Sequence, residues 1–308
     1  MYTFTWSCSI AVVLALLPPL AGGDSPAAVK PWKDLSDRRL SSLGKQILRA
    51  GGRKWVHAET EEFLYHTLSE EALSDVVRQG RHAHYKLNTY LGVVSAKPEG
   101  HIFVLDDGGL WERVLRKAGH RVDSSAVSLG DEIFVLREPR GGMYGEKLAH
   151  EMAHVRMRRL YGGGVPLWLD EGVASYVAWN VARDYYDLLN RELVRTRPPV
   201  DPLDMMALDD LARVDAYPRS LESARAFYRQ AEELIRQVAL RIGDGRLHAF
   251  VRAVCGDKPS WREALADTFG LPGNELDRIE SDVFLALTSP PPGMEDGNDD
   301  ESERKTNP

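Results

Sequence analysis

Leu148-Ala149-His150-Glu151-Met152-Ala153-His154-Val155 is the stretch around which the rest of the sequence is read. Taken as a helix, it puts residues four apart on one face, about one turn from each other. His150 and His154 then aim their imidazoles at a single point. Glu151, one residue after His150, is rotated by about 100° around the helix axis and stands beside that point. Two imidazole nitrogens suit zinc as ligands, and a carboxylate next to the ion suits a proton acceptor. A pattern this short also arises by chance in unrelated chains, so the flanking sequence has to decide.

Gly162-Gly163-Gly164 breaks the helix, and Pro166-Leu167-Trp168-Leu169-Asp170-Glu171-Gly172-Val173-Ala174-Ser175-Tyr176 follows. A proline near a helix start and apolar residues at helical spacing predict a second helix. Its early acid, Glu171, comes 17 positions after His154, enough chain to end one helix, turn, and bring back a third ligand. His-x-x-x-His with a later Glu on the following helix resembles the gluzincins, the thermolysin and aminopeptidase N group of zinc metallopeptidases. The Trp-Leu-x-Glu-Gly-x-Ala-x-Tyr form is most similar to the small peptidase MA-like family of that group. The sharp part of the resemblance runs from His150 to Tyr176, and a looser likeness covers about residues 60–285. A metzincin would carry a Gly and a third His shortly after the motif, where Met157 and Leu160 stand instead.

The resemblance implies an α+β fold, with a small mixed sheet, an active-site helix carrying His-Glu-x-x-His and a helical C-terminal subdomain. It implies one zinc per chain, held by His150, His154 and Glu171, with a fourth position kept for a water whose pKa the cation lowers to about 7. Glu151 then accepts that water's proton during attack on a peptide carbonyl and passes it to the leaving amine. Thermolysin-like enzymes place an acid four residues after the ligand Glu to hold a ligand histidine by its other ring nitrogen. Ser175 occupies that position here, so Asp170 and Ser175 are both candidates, and Asp170 has helix capping as its other reading. In members resembling aminopeptidase N, a Tyr on a later helix stabilises the oxyanion. Phe227-Tyr228-Arg229-Gln230-Ala231 is similar to that segment, 57 positions after Glu171. Tyr228 is the first candidate and Tyr217 the reserve, with core packing as the alternative for Tyr228. The implied partner is a peptide or protein substrate. The glycine-rich signature by which exopeptidases capture a free amino terminus is not evident in Ala126–Leu136, which favours an endopeptidase. Two readings stand beside this one: a catalytically silent gluzincin-fold binding module, against which the intact Glu151 counts, and a zinc hydrolase of a non-peptide bond.

The remaining composition sets bounds. With 308 residues, 43% of them hydrophobic and 28% charged, the chain belongs to the ordinary soluble globular class and can hold one or two domains. A net charge of −7 offers no basic footprint for nucleic acid. Of nine histidines only His150 and His154 have ligand spacing on an expected helix; His82 and His84, two apart, point to different faces and read as solvated. Residues 1–23 read as a signal peptide, with an apolar run Ile10–Leu17 too short to span a bilayer, then Pro18-Pro19 and small residues before Asp24. The expected protein is exported, periplasmic or secreted, without an integral span in the mature chain. No Lys or Arg precedes the apolar run, so membrane anchoring by an uncleaved amino terminus is the alternative. Cleavage would remove Cys8 and leave Cys255 alone, with no disulfide within one mature chain.

Residues 24–53 read as a lead-in with a short helix near Leu40–Leu48, 54–183 as the catalytic domain, 184–287 as the helical subdomain and 288–308 as a disordered acidic tail. Within these, Lys54–Thr67 reads as one or two strands, and Thr67-Leu68-Ser69-Glu70 as a capping box before a helix reaching Leu91. Gly100–Asp106 reads as a buried strand and Trp111–Lys117 as a helix. Ala126–Leu129 and Glu132–Leu136 predict a hairpin, either plain or supplying the sheet edge along a substrate cleft. A long helix is expected from about Leu221 to Ile242 and another over Arg246–Cys255. A capping box at Ser260 and an Asn274 cap for Glu275–Leu287 complete the pattern.

Overall fold

A five-stranded mixed sheet organises the first half of the chain. The computed structural model describes residues 28–50, 55–94, 98–119, 124–137, 145–188, 199–256 and 260–289. The expected signal peptide and the acidic tail beyond Ser289 lie outside them. The fold is α+β, with ten α-helices among the described residues, and no described helix is long and apolar enough to cross a membrane.

Strand β1 (Val56–Glu59) pairs antiparallel with β2 (Phe63–Thr67), and β2 pairs parallel with β3 (Gly100–Leu105). β3 pairs parallel with β5 (Glu132–Leu136), which carries the antiparallel edge strand β4 (Ala126–Leu129). Every residue of β3 is buried, as its unbroken apolar run Ile102-Phe103-Val104-Leu105 requires of a central strand covered on both faces. On one face, α1 (Ser42–Arg49) and α3 (Gly108–Ala118) pack Leu43, Ile47, Trp111 and Val114 against Phe103, Leu105, Val127 and Phe134.

The described part of the expected lead-in is thus part of the core. Leu40, Leu43 and Ile47 recur at helical spacing and form a narrow apolar stripe, easily missed among charged neighbours. Val29 bridges to Ala58, and the Glu132 carboxylate accepts from both the backbone N–H (2.5 Å) and the hydroxyl (2.6 Å) of Ser41, the N-cap of α1.

The long helix α2 (Glu70–Leu91) connects β2 to β3. Its cap is Ser69, whose hydroxyl accepts from the Ala72 N–H, whereas Thr67 ends β2. The capping position therefore falls two residues later than the sequence pattern suggested, because pairing with β1 keeps Thr67 in the strand. α4 (Gly145–Tyr161) follows the hairpin and stops at Gly162, whose φ of 70° suits glycine alone without strain. α5 (Leu167–Leu188) comes next.

Two compact units result: Met1–Val165 with Ala174–Glu192, and Pro166–Val173 with Leu193–Pro308. α5 contributes its first turns to the second unit and the rest to the first. Beyond α5 the described chain is helical, through α6 (Leu208–Leu211), α7 (Leu221–Ile242), α8 (Leu247–Cys255), α9 (Trp261–Phe269) and α10 (Gly273–Thr288). α7 buries Phe227, Ala231, Leu234, Ile235, Val238 and Ile242 on one stripe. α10 packs along α7, and Arg241 reaches Asp282 at 2.5 Å. α10 starts one residue before Asn274, with Pro272 at the cap and no side-chain cap bond, so Asn274 lies inside the first turn and is not the cap.

Candidate metal centre

α4 is fixed in place by contacts that its own sequence does not reveal. The Gly145 N–H at its start donates to Gln79 Oε1 of α2 at 2.6 Å, satisfying one of the donors a helix start leaves open. The fully buried Arg156 guanidinium grips Glu99 in a fork, Nε to Oε2 at 2.7 Å and Nη2 to Oε1 at 2.6 Å. Its Nη1 donates to Asn88 Oδ1 at 3.0 Å and to the Gly92 carbonyl. At the far end Arg159 pairs with Asp131 at 2.9 Å and Arg158 donates to the Gly130 carbonyl, tying α4 to the β4–β5 turn.

His82 and His84, expected in solvent, are both buried. His84 donates to Glu99 at 3.1 Å, and His82 lies 3.2 Å from Asp184. α2 is covered around most of its circumference, so two positions on different faces both meet protein. Burial alone would raise the Glu99 carboxyl, but the hydrogen bonds from His84 and Arg156 and the Arg156 charge outweigh it and hold the group below the usual carboxylate range.

One turn apart on α4, His150 and His154 bring their Nε2 atoms to 3.1 Å, with ring planes 82° apart. Two nitrogens bound tetrahedrally to one zinc at 2.0–2.1 Å would lie roughly 3.3 Å apart, so the pair is spaced for a shared ion. Glu171, in the early turns of α5, completes the group: one ligand atom from each residue lies within 4.8 Å of the others. His154 and Glu171 are buried and His150 is half-buried. Glu151, between the histidines in sequence, is 8% exposed. Two imidazoles and a carboxylate are donors suited to a zinc-like divalent ion.

Local sequence explains where Glu171 sits. The Pro166 carbonyl accepts from Leu169 and Asp170 to open α5, and Trp168 and Leu169 are buried. Gly172 lets the α7 backbone come close: a Cβ at that position would stand 2.6 Å from the Ala231 carbonyl oxygen and 2.9 Å from Ile235 Cγ1. The Glu-Gly pair is thus a member of the group that could hold a metal ion, followed by a packing requirement.

Tyr217 donates its hydroxyl to Glu171 Oε1 at 2.5 Å. The Tyr217 residue is 51% exposed, but desolvation of its hydroxyl against Glu171, and then the Glu171 charge, push the phenol above the usual tyrosine range, so it stays a proton donor at physiological pH. Tyr228 lies on α7 with its ring centroid 6.2 Å from that of Tyr217. Of the two tyrosines, the reserve candidate is the one hydrogen-bonded to the third member of the group. Asp170 sits in the first turn of α5, at the positive end of the helix dipole, and Ser175 lies half-buried one turn after Glu171. The supports that sequence reasoning missed are Gln79, Glu99 with Arg156, and the α5–α7 approach at Gly172. Only the Glu-Gly pair carried a local signal.

Fold and site together define an α+β protein with a His-His-Glu group able to hold a metal ion. Compared with models of known protein families the chain matches none, and no curated protein matches it.

Proposed function

We propose that the protein is a zinc metallopeptidase that hydrolyses internal peptide bonds of peptides or proteins. The observation that carries this is the convergence of His150, His154 and Glu171, with Glu151 on the same helix as the histidines. Zinc bound there supplies Lewis acidity to a carbonyl oxygen and to water. The other tasks fall to the chain's own residues. Glu151 takes the proton from the attacking water and returns it to the leaving amine. Tyr228 donates to the developing oxyanion. β4, at the edge of the sheet beside α4, pairs with an extended substrate main chain.

The test combines elemental analysis with a proteome-derived peptide library. The expected result is about one zinc per chain and internal cleavage that Glu151→Gln abolishes. Protein that neither carries zinc nor takes it up on titration would instead support a silent binding module. Bound zinc without peptide cleavage would point to hydrolysis of another bond.

A further inference from the structure

Three histidines on three neighbouring strands form a buried row away from the metal-ligating group. His57 and His66 are register partners on β1 and β2, and His101 stands two residues before Phe103, the β3 partner of His66. His57 Nδ1 meets His66 Nδ1 at 2.8 Å, and His66 Nε2 meets His101 Nδ1 at 3.0 Å. The rings are 8%, 0% and 3% exposed. They meet nitrogen to nitrogen in series and not around a point, and among the described residues the only convergent ligand group is His150, His154 and Glu171.

Counting protons defines the state of the row. Three neutral imidazoles carry three N–H groups, of which two lie between rings and one at an end. The Nε2 of His101 is buried with no hydrogen-bond partner, so the end proton belongs on His57. His101 Nδ1 then donates to His66 Nε2, and His66 Nδ1 donates to His57 Nδ1. A fourth proton either creates an N–H with no acceptor at His101 Nε2 or sets two N–H groups facing each other. The row has no comfortable charged form.

What covers the row is the amino-terminal segment 28–50. The Trp32 ring lies 5.5 Å from that of His57 and 5.7 Å from that of His66. The Lys30 N–H donates to the His57 carbonyl at 2.8 Å. We propose that the His57–His66–His101 row is an acid-sensitive latch: while neutral it seats segment 28–50 on the sheet, and on protonation it releases that segment.

The electrostatics agree with the geometry. Burial holds His57 below the usual imidazole range, and burial reinforced by its two neighbours holds His66 well below it. Burial lowers His101 to about 4; Asp37 and Asp131 pull the other way and Arg39 adds to the lowering. A released ring returns to about 6.5. The closed form therefore keeps its full advantage above that value and loses it as the pH falls towards 4. At pH 5.0 one freed ring favours the open form on the order of 30-fold relative to neutral pH, and more rings multiply the effect.

Hydrogen–deuterium exchange on the full chain at pH 7.5 and 5.0, corrected for intrinsic exchange rates, tests the latch. Opening of 28–50 should rise at least about tenfold at pH 5.0 while the α7 and α10 amides keep their protection. His66→Phe removes one of the three rings, so the rise should be at least about threefold smaller than in the unaltered protein; His101→Asn serves the same purpose if His66→Phe does not fold. Equal protection of 28–50 at both pH values overturns the proposal. So does wild-type pH dependence in the variants, or loss of protection in both units together at pH 5.0.

Discussion

The Tyr217 hydroxyl and the Glu171 carboxylate are joined at 2.5 Å, so the acid that completes the His150–His154 group is oriented by a phenol from the segment preceding α7. One hydroxyl proton cannot serve two acceptors at once. While it is given to Glu171, Tyr217 orients the third member of the candidate metal group, and under the proposed function the oxyanion falls to Tyr228. Tyr217→Phe should weaken zinc binding by roughly 10- to 100-fold, the usual cost of losing a group that orients a ligand, as measured by competition with a chelator of known affinity. Tyr228→Phe should leave zinc binding unchanged and lower kcat by about 10²-fold. If the two outcomes are exchanged, the two roles are exchanged.

Glu151→Gln keeps the side chain's shape and removes its ability to take a proton. Hydrolysis should collapse while zinc content stays near that of the unaltered protein. Glu171→Ala should lose zinc and activity together. Metal analysis run beside the peptide assay separates the two variants, and substantial activity in Glu151→Gln would remove it from the role of base.

Gly172→Ala inserts a methyl group where the Ala231 carbonyl oxygen stands 2.6 Å from the Cβ position. Backbone has to move to admit it, and overpacking of this kind costs about 1–3 kcal/mol. Urea unfolding should report that loss. Because Gly172 adjoins Glu171, zinc uptake should fall as well, a result that simple destabilisation far from the site would not produce.

Glu99→Gln leaves the Arg156 guanidinium buried without its counter-charge, and breaking a buried pair in this way costs about 3–5 kcal/mol. The pair also has a pH signature. Glu99 is held below its ordinary value, so its contribution is intact above the usual carboxylate range and disappears as the pH falls through the lowered folded value. Denaturant midpoints followed from pH 7 to pH 3 should fall less steeply in the variant than in the unaltered protein.

Much of the fold could be read locally. The two apolar runs on either side of Gly130-Asp131 became β4 and β5, and the periodic stretch from Leu221 to Ile242 became α7 with the same bounds. The meeting of His150 with His154 was legible for the same reason: four residues on a helix are one turn, a distance set by backbone geometry wherever the helix lies. Glu171 was reachable through its Trp-Leu-Asp-Glu-Gly context and the chain length available for a turn.

The remainder depended on which surfaces meet. His82 and His84 looked solvated because their own helix says nothing about α4 lying across it, and the stripe Leu40, Leu43, Ile47 looked like a linker until the sheet supplied a partner. The His57–His66–His101 row exists only through strand register across residues 9 and 35 positions apart. The Tyr217 bond spans 46 positions and the Arg156–Glu99 pair 57. The sequence by itself determined the helices, the strands and the spacing of the two histidines, because those follow from short-range periodicity and covalent geometry. Tertiary structure alone decided which tyrosine holds Glu171 and which histidines are hidden from water, because contacts between distant segments depend on packing that no local pattern encodes.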